Sequence, residues 1–222
     1  MYKFISHRGN NYHTLAENSK EAIIKVLNEE YIYGVEFDIR ITKDNKFVIH
    51  HNATINLTID KVLFIKNKTL KELKKIDFKN NGNIYKICEL NELLKNIKSD
   101  KLIIIEIKEE NDYSNYQIHK LLSILKKYNN LNIYLCSFNY KLIKKINEKI
   151  NNIPCGPIIG KVLNKKKDYS FFDFISIHWD VYLTIETTIK KFIWTINDIK
   201  KLNKNKNDEF IISDNAYKFI NE

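Results

Sequence analysis

The chain is poor in arginine, glycine, proline and cysteine, and each scarcity excludes something. Five glycines and two prolines among 222 residues leave no collagen-like, linker-rich or low-complexity stretch. The three cysteines, Cys88, Cys136 and Cys155, are odd in number and widely spaced, with no CxxC pair. Neither a disulfide framework nor a zinc cage is encoded, and free thiols in a reducing cytosol are expected. No apolar run approaches the ~20 residues of a membrane-spanning helix, and the start MYKFISHRG has no apolar core of a secretory signal. A cytoplasmic protein without a transmembrane segment is the expectation. Of 37 basic residues only Arg8 and Arg40 are arginine. Readers of nucleic acid lean on arginine, whose planar fork fits phosphate and guanine edges. The net charge of +10 therefore points to solvation first and an anionic partner second, and no nucleic acid partner is expected.

What is present is ordinary in amount, 44% hydrophobic and 29% charged, and strongly patterned. Strand-like runs fall at 3–6, 34–39, 102–107, 132–138, 157–163, 172–177, 191–196 and 210–213. A turn-like KDNK leads from the second into FVIHH at 47–51, a hairpin extension. Between the runs lie helical stripes. Asn18 and Glu21 have capping-box spacing ahead of Ala22, Ile23, Val26 and Leu27, and Thr69 with Glu72 repeats the device. Leu90, Leu93 and Leu94, then Ile118, Leu121, Leu122 and Leu125, then Leu142, Ile143 and Ile146 continue at helical period. Eight main strands alternating with helices predict an α/β fold, a compact (β/α)8 barrel forming one domain over 1–222. A doubly wound open sheet is the alternative, but there is no GxGxxG or GxxxxGK[ST] to support its nucleotide-binding form. Residues 52–101 read as a mostly helical insertion, without a clear strand, that covers the barrel.

In a parallel barrel the working residues sit at the carboxyl ends of strands. The first strand ends at His7 and Arg8. The second carries Glu36 and Asp38, two apart and on one side, and its hairpin ends at His50 and His51. The third carries Glu106 and Lys108. Carboxylates inside apolar strands are costly unless paired or metal-bound. Glu36, Asp38 and Glu106 together make an all-oxygen set for Mg²⁺ or Ca²⁺ rather than zinc. The alternative is that Glu106 and Lys108 merely pair with each other. His7 and His51 can give and take a proton near neutral pH. His50 points away from whatever His51 faces, His13 and His119 look ordinary, and His178, closing the sixth strand, reads as structural.

Taken in order, HRGNNYHTLAENSKEAI, GVEFDIRITKDNKFVIHHN, IIIEIK and IWTIND…FIISDN resemble the glycerophosphodiester phosphodiesterase family over essentially the whole chain. The resemblance implies metal-dependent hydrolysis of a small glycerophosphodiester to glycerol 3-phosphate and an alcohol. It makes His7 and His51 the acid–base pair, and Glu36, Asp38 and Glu106 the ligands of a divalent cation, Mg²⁺ or Ca²⁺. Arg8 and Lys108 become the phosphate contacts, Trp194 the wall for the alcohol, and Glu17 and Asn18 the supports of the first loop. The chain departs from the family pattern where His51 is followed by Asn52 rather than aspartate, and where Asn56-Leu57-Thr58 replaces an R-T-T. A phospholipase C/D-like or lysophospholipase D-type barrel acting on lipids stays open as an alternative. So do a barrel that binds a phosphodiester without cleaving it and a non-catalytic basic anion-binding module.

Overall fold

The frame is set by runs of β-branched and aromatic residues whose two faces are both buried. A computed structural model describes residues 2–10, 15–58, 61–80, 83–108, 113–162, 164, 168–185, 187–201 and 210–220. Strands β1 (Lys3–Ser6), β2 (Gly34–Ile41) and β3 (Phe47–Ile49) come first. Two small hairpins follow, β4 (Thr54–Thr58) with β5 (Lys61–Phe64) and β6 (Phe78–Asn80) with β7 (Asn83–Tyr85). The remaining strands are β8 (Leu102–Ile107), β9 (Ile133–Ser137), β10 (Cys155–Ile159), β11 (Phe174–His178), β12 (Lys190–Trp194) and β13 (Phe210–Ser213). Strands β1, β2 and β8 to β13 are parallel neighbours. The sheet closes because β1 pairs with both β2 and β13. This is the eight-stranded parallel (β/α)8 barrel that the alternation predicts, with β3 added antiparallel to the far end of β2.

Side-chain alternation along the strands splits the interior in two. Val35, Phe37 and Ile39 of β2 and Ile103, Ile105 and Ile107 of β8 face outward. There they pack against Ile23 and Val26 of α1 (Lys20–Leu27), past α2 (Leu70–Leu73) against Leu90 and Leu93 of α3 (Leu90–Asn96), and against Ile118 of α4 (Asn115–Leu125) and Ile143 of α5 (Tyr140–Asn147). Inside the barrel Ile5, Leu102, Ile104, Ile158, Phe174, Phe192 and Ile212 form a separate core. Its floor is aromatic: Phe192 lies with ring centroids 5.1 Å from both Phe174 and Phe210, and Tyr134 closes the side at 5.4 Å from Phe174. The floor fills the amino end of the barrel, so polar side chains gather at the carboxyl end. Beyond α5 the described connections hold 3-10 turns, at Tyr182–Thr184, Ile199–Lys201 and Lys218–Ile220, and no α-helix. No helix of the described residues is long and apolar enough to cross a membrane.

Three expectations need correction. Asn18 does not cap α1: Ser19 does, accepting from the Ala22 amide at 3.1 Å, and Asn18 is used elsewhere. The strand expected at 157–163 is Cys155–Ile159, and Leu163, like His13, lies outside the described residues. The ladder to β9 starts at Cys155, and the next position must be glycine, because a Cβ on Gly156 would sit on the Phe174 carbonyl oxygen. The segment 52–101 is not mostly helical. The β4–β5 hairpin opens it and the β6–β7 hairpin follows α2, and Ile55 joins Val48 of β3, Ile65, Leu73 and Ile87 in a small core. The short helix α2 does carry the capping box on Thr69 and Glu72. The helical reading overran because Ile55, Leu57 and Leu63 alternate at strand period ahead of it, while α3 packs into the barrel's outer core.

The barrel floor carries the stability of the interior. Phe174→Ala is expected to lower the unfolding free energy by about 3–5 kcal/mol. Tyr116→Ala, at an exposed position, should stay within about 0.5 kcal/mol. Denaturant midpoints of the two variants check the contrast.

Candidate active site

The first loop is folded back by hydrogen bonds rather than by packing. His7, Arg8 and Gly9 turn directly off β1, with Arg8 at φ 55° and Gly9 at φ 65°. The left-handed backbone is costly for arginine. It is held by the Arg8 amide donating to Glu36 Oε2 at 3.1 Å and by the Asn18 amide donating to the Arg8 carbonyl at 2.8 Å. Asn18 itself grips Asp38 twice. Its amide group donates to Asp38 Oδ2 at 2.8 Å, and its carbonyl accepts from the Asp38 backbone at 3.0 Å. Glu17 accepts from Arg8 Nη1 at 3.0 Å.

Strand register delivers the carboxylates. Asp38 of β2 stands beside Glu106 of β8, and Glu36 precedes Asp38 by two residues on the inward face. The three are buried, and one oxygen of each lies within 4.8 Å of the others. Glu36 Oε1 and Asp38 Oδ1 are buried without a hydrogen-bond partner. Lys108 Nζ lies 2.8 Å from Glu106 Oε1 and 3.4 Å from Asp38 Oδ1, so the pairing read from the sequence and the acidic cluster coexist. Burial, then the charge of Asp38, pushes Glu36 up to about 7 and Glu106 up to about 8. Burial works against Asp38 as well, yet Lys108, Arg8 and His51 together hold it below the usual carboxylate range. Hard oxygens that are buried, mutually repelling and partly unpartnered fit a divalent cation.

The two histidines are supported differently. His7 Nδ1 lies 2.6 Å from Asp214 Oδ1, and its Nε2 is 3.8 Å from Glu36 Oε2. Asp214 is fixed in turn by Asn197, whose amide donates to Oδ2 at 2.7 Å. Burial opposes a charge on His7, but the Asp214 bond and Glu36 outweigh it and raise its pKa. His51 Nδ1 meets Asn52 Oδ1 at 2.8 Å, a neutral partner. Burial lowers its pKa, and the charges of Lys108 and Arg8 add to the effect. His50 turns away, its ring 5.8 Å from Phe78.

A cavity of about 280 Å³ joins these groups. His7, Arg8, Glu36, His51, Glu106 and Lys108 line one side; Phe138, Ile158, Trp194 and Ile212 line much of the other. Trp194 is wedged edge-on between Phe138, at 5.6 Å, and His178, at 5.0 Å. Sequence reasoning missed three supports. Asp214 and Asn197 follow the last two strands, where the rule that polar residues end strands, applied to every strand, finds them. Arg40, two after Asp38, donates to the carbonyls of His51 at 2.8 Å and Lys108 at 2.7 Å.

A closed parallel barrel with its polar cavity at the carboxyl ends of the strands defines the class, a (β/α)8-barrel enzyme. The chain belongs to the glycerophosphoryl diester phosphodiesterase family, whose model matches residues 7–198. A glycerophosphodiester phosphodiesterase of Caldanaerobacter subterraneus is 29% identical over 158 residues. That match takes in 68% of this chain and 64% of that protein, so it spans less than two thirds of the relative. The crystal structure of a glycerophosphodiester phosphodiesterase from Thermotoga maritima is 25% identical with a TM-score of 0.76, covering 100% of this chain and 98% of that one. An Oleispira antarctica phosphodiesterase, solved with the product sn-glycerol-3-phosphate, is 21% identical with a TM-score of 0.78, covering 97% and 94%.

The raised carboxyls make stability depend on pH. Both groups have folded pKa values, about 7 and about 8, above the ordinary 4.5. Their contribution is full below the unfolded value and is lost as pH rises through the folded ones. The melting temperature of cation-free protein should therefore fall between about pH 5 and about pH 8, and added Mg²⁺ or Ca²⁺ should restore it most at the alkaline end. Glu106→Gln should flatten the slope. A melting temperature level across that window in the wild type contradicts the reading.

Proposed function

We propose that the chain hydrolyses glycerophosphodiesters, releasing glycerol 3-phosphate and an alcohol. The observation that carries this is convergence: His7, His51, Glu36, Glu106, Arg8 and Lys108 line one cavity from four different strand ends, with buried Asp38 grouped behind the two glutamates. Family membership supports it, as does the product bound by the Oleispira relative. Glu36, Asp38 and Glu106 would hold Mg²⁺ or Ca²⁺, which as a Lewis acid offsets charge on the phosphoryl oxygens.

The remaining work falls to side chains of known position. Arg8 and Lys108 face the non-bridging oxygens and stabilise their charge as it grows. Arg8 is aimed by Glu17 and by the strained turn that its own amide ties to Glu36. One histidine removes a proton from the nucleophile and the other protonates the leaving alcohol oxygen. The nucleophile is water, or the neighbouring glycerol hydroxyl followed by water opening the cyclic phosphate to glycerol 3-phosphate. The pair is suited to this because Asp214 raises one ring while burial lowers the other. Asn52 orients His51 through a hydrogen bond but adds no charge. Trp194 and Phe138 give the alcohol an apolar wall. Three free, buried cysteines accord with a cytoplasmic protein, and 1–222 reads as one domain.

A screen of water-soluble glycerophosphodiesters, with chelator or with each cation, should show cation-dependent release of glycerol 3-phosphate. His7→Ala and His51→Ala should each lower kcat by about 10²–10⁴-fold, and Glu36→Ala should abolish the cation's effect. Turnover unchanged in His7→Ala would falsify this assignment.

A further inference from the structure

Among the described residues ten large apolar side chains are exposed, and six of them lie on segments leaving the carboxyl ends of barrel strands. Phe138 follows β9 at once. Val162, 85% exposed, follows β10, and Leu183, 55% exposed, follows β11. On the opposite side of the mouth Val62, Phe64 and Ile84 sit on the two hairpins. The second hairpin packs on the chain next to His51, since Phe78 lies against His50 and is stacked by Tyr85 at 5.1 Å.

Among the described residues, contacts link the ends of β9 to β12. A Cβ on Gly160 would touch the Phe138 ring at 3.9 Å, Phe138 meets Trp194, and Trp194 meets His178. Lys201 Nζ lies 4.1 Å from the centre of the Trp179 ring, and Lys161 directly precedes Val162.

Positive charge is concentrated at the same end. Residues 52–87 contain eight lysines against three acidic residues, +5 of the chain's net +10 in 36 of its 222 residues. Lys68, Lys74 and Lys86 are ion-paired, whereas Lys66, Lys71 and Lys75 are exposed and have no ion pair among the described residues. Apolar side chains standing out of a lysine-rich surface fit neither bulk water nor a basic partner. They fit an interface that is apolar below and negative above.

We propose that the mouth of the barrel docks on an anionic lipid surface, with Val162 and Leu183 entering the headgroup layer and the lysines of the hairpin segment on the lipid charge. For what the pocket then meets there, a phosphodiester at or leaving that surface, the proposal rests on the phosphodiesterase reading. The docking rests on the exposed residues alone.

The test is co-sedimentation of the whole chain with vesicles of phosphatidylcholine alone and of phosphatidylcholine with phosphatidylglycerol. The wild type should bind the mixed vesicles and not the neutral ones. V162E/L183E and K66E/K71E/K75E should each weaken binding by on the order of tenfold, while turnover of a soluble glycerophosphodiester stays at the wild-type rate and shows the variants are folded. Binding that is equal in V162E/L183E and the wild type reduces the effect to loose attraction of lysines and overturns the proposal. Absence of wild-type binding overturns it too. If V162E/L183E instead converts a dimer to a monomer, the face belongs to a second copy of the chain and the proposal fails. Vesicle binding as described, in a chain that cuts no diester, supports the docking face and separately removes the catalytic reading.

Discussion

Three carboxylates inside one barrel, each with an oxygen within 4.8 Å of the others, are the constraint around which the carboxyl end is built. Unaided, such a cluster would protonate, and two of its members are in fact pushed up to about 7 and about 8. The chain answers with local donors. Lys108 stands over Asp38 and Glu106, the backbone of Arg8 bends into an unfavourable conformation to reach Glu36, and Asn18 is diverted from helix capping to hold Asp38. A cation there would complete what these donors begin.

The architecture was legible because barrel strands are buried on both faces and read as near-continuous apolar runs. LIIIEI and GVEFDI stand out for that reason, and the acidic residues within them mark the site. The limits of legibility are equally physical. The β4–β5 hairpin is half-exposed and short, so its alternation is faint against the helical stripe that follows. The start of β10 depends on a contact between Gly156 and Phe174, partners far apart in sequence. Asn18 matched a capping pattern, yet a buried aspartate in another strand offered it better partners. Arg40 had the right position, inward and two after Asp38, but its role lies in carbonyl groups that a sequence does not display.

The arginines illustrate how little of the positive charge is structural. Arg8 is locked in a web with Glu17, Asp38 and the turn, and Arg40 fastens two backbone segments. Both uses need a planar group with several donors fixed in direction, which an ammonium cannot supply. Most of the described lysines work at the surface, although Lys191 donates to the carbonyls of Tyr182 and Ile185.

The covering hairpins leave and rejoin the barrel at one point. The Ile49 amide donates to the Cys88 carbonyl at 2.9 Å, Val48 bridges to Glu89, and Arg40 pins the His51 carbonyl at the exit. Entry and exit are thus stapled side by side, and the intervening segment is held besides by a small core shared with Val48 of β3 and by the Lys43 amide donating to the Lys68 carbonyl at 2.9 Å. A segment mounted in this way is a cassette. Away from those ties its length and sequence can vary at little cost to the barrel beneath. The chemistry and the choice of what reaches it can therefore evolve at separate rates within a single chain.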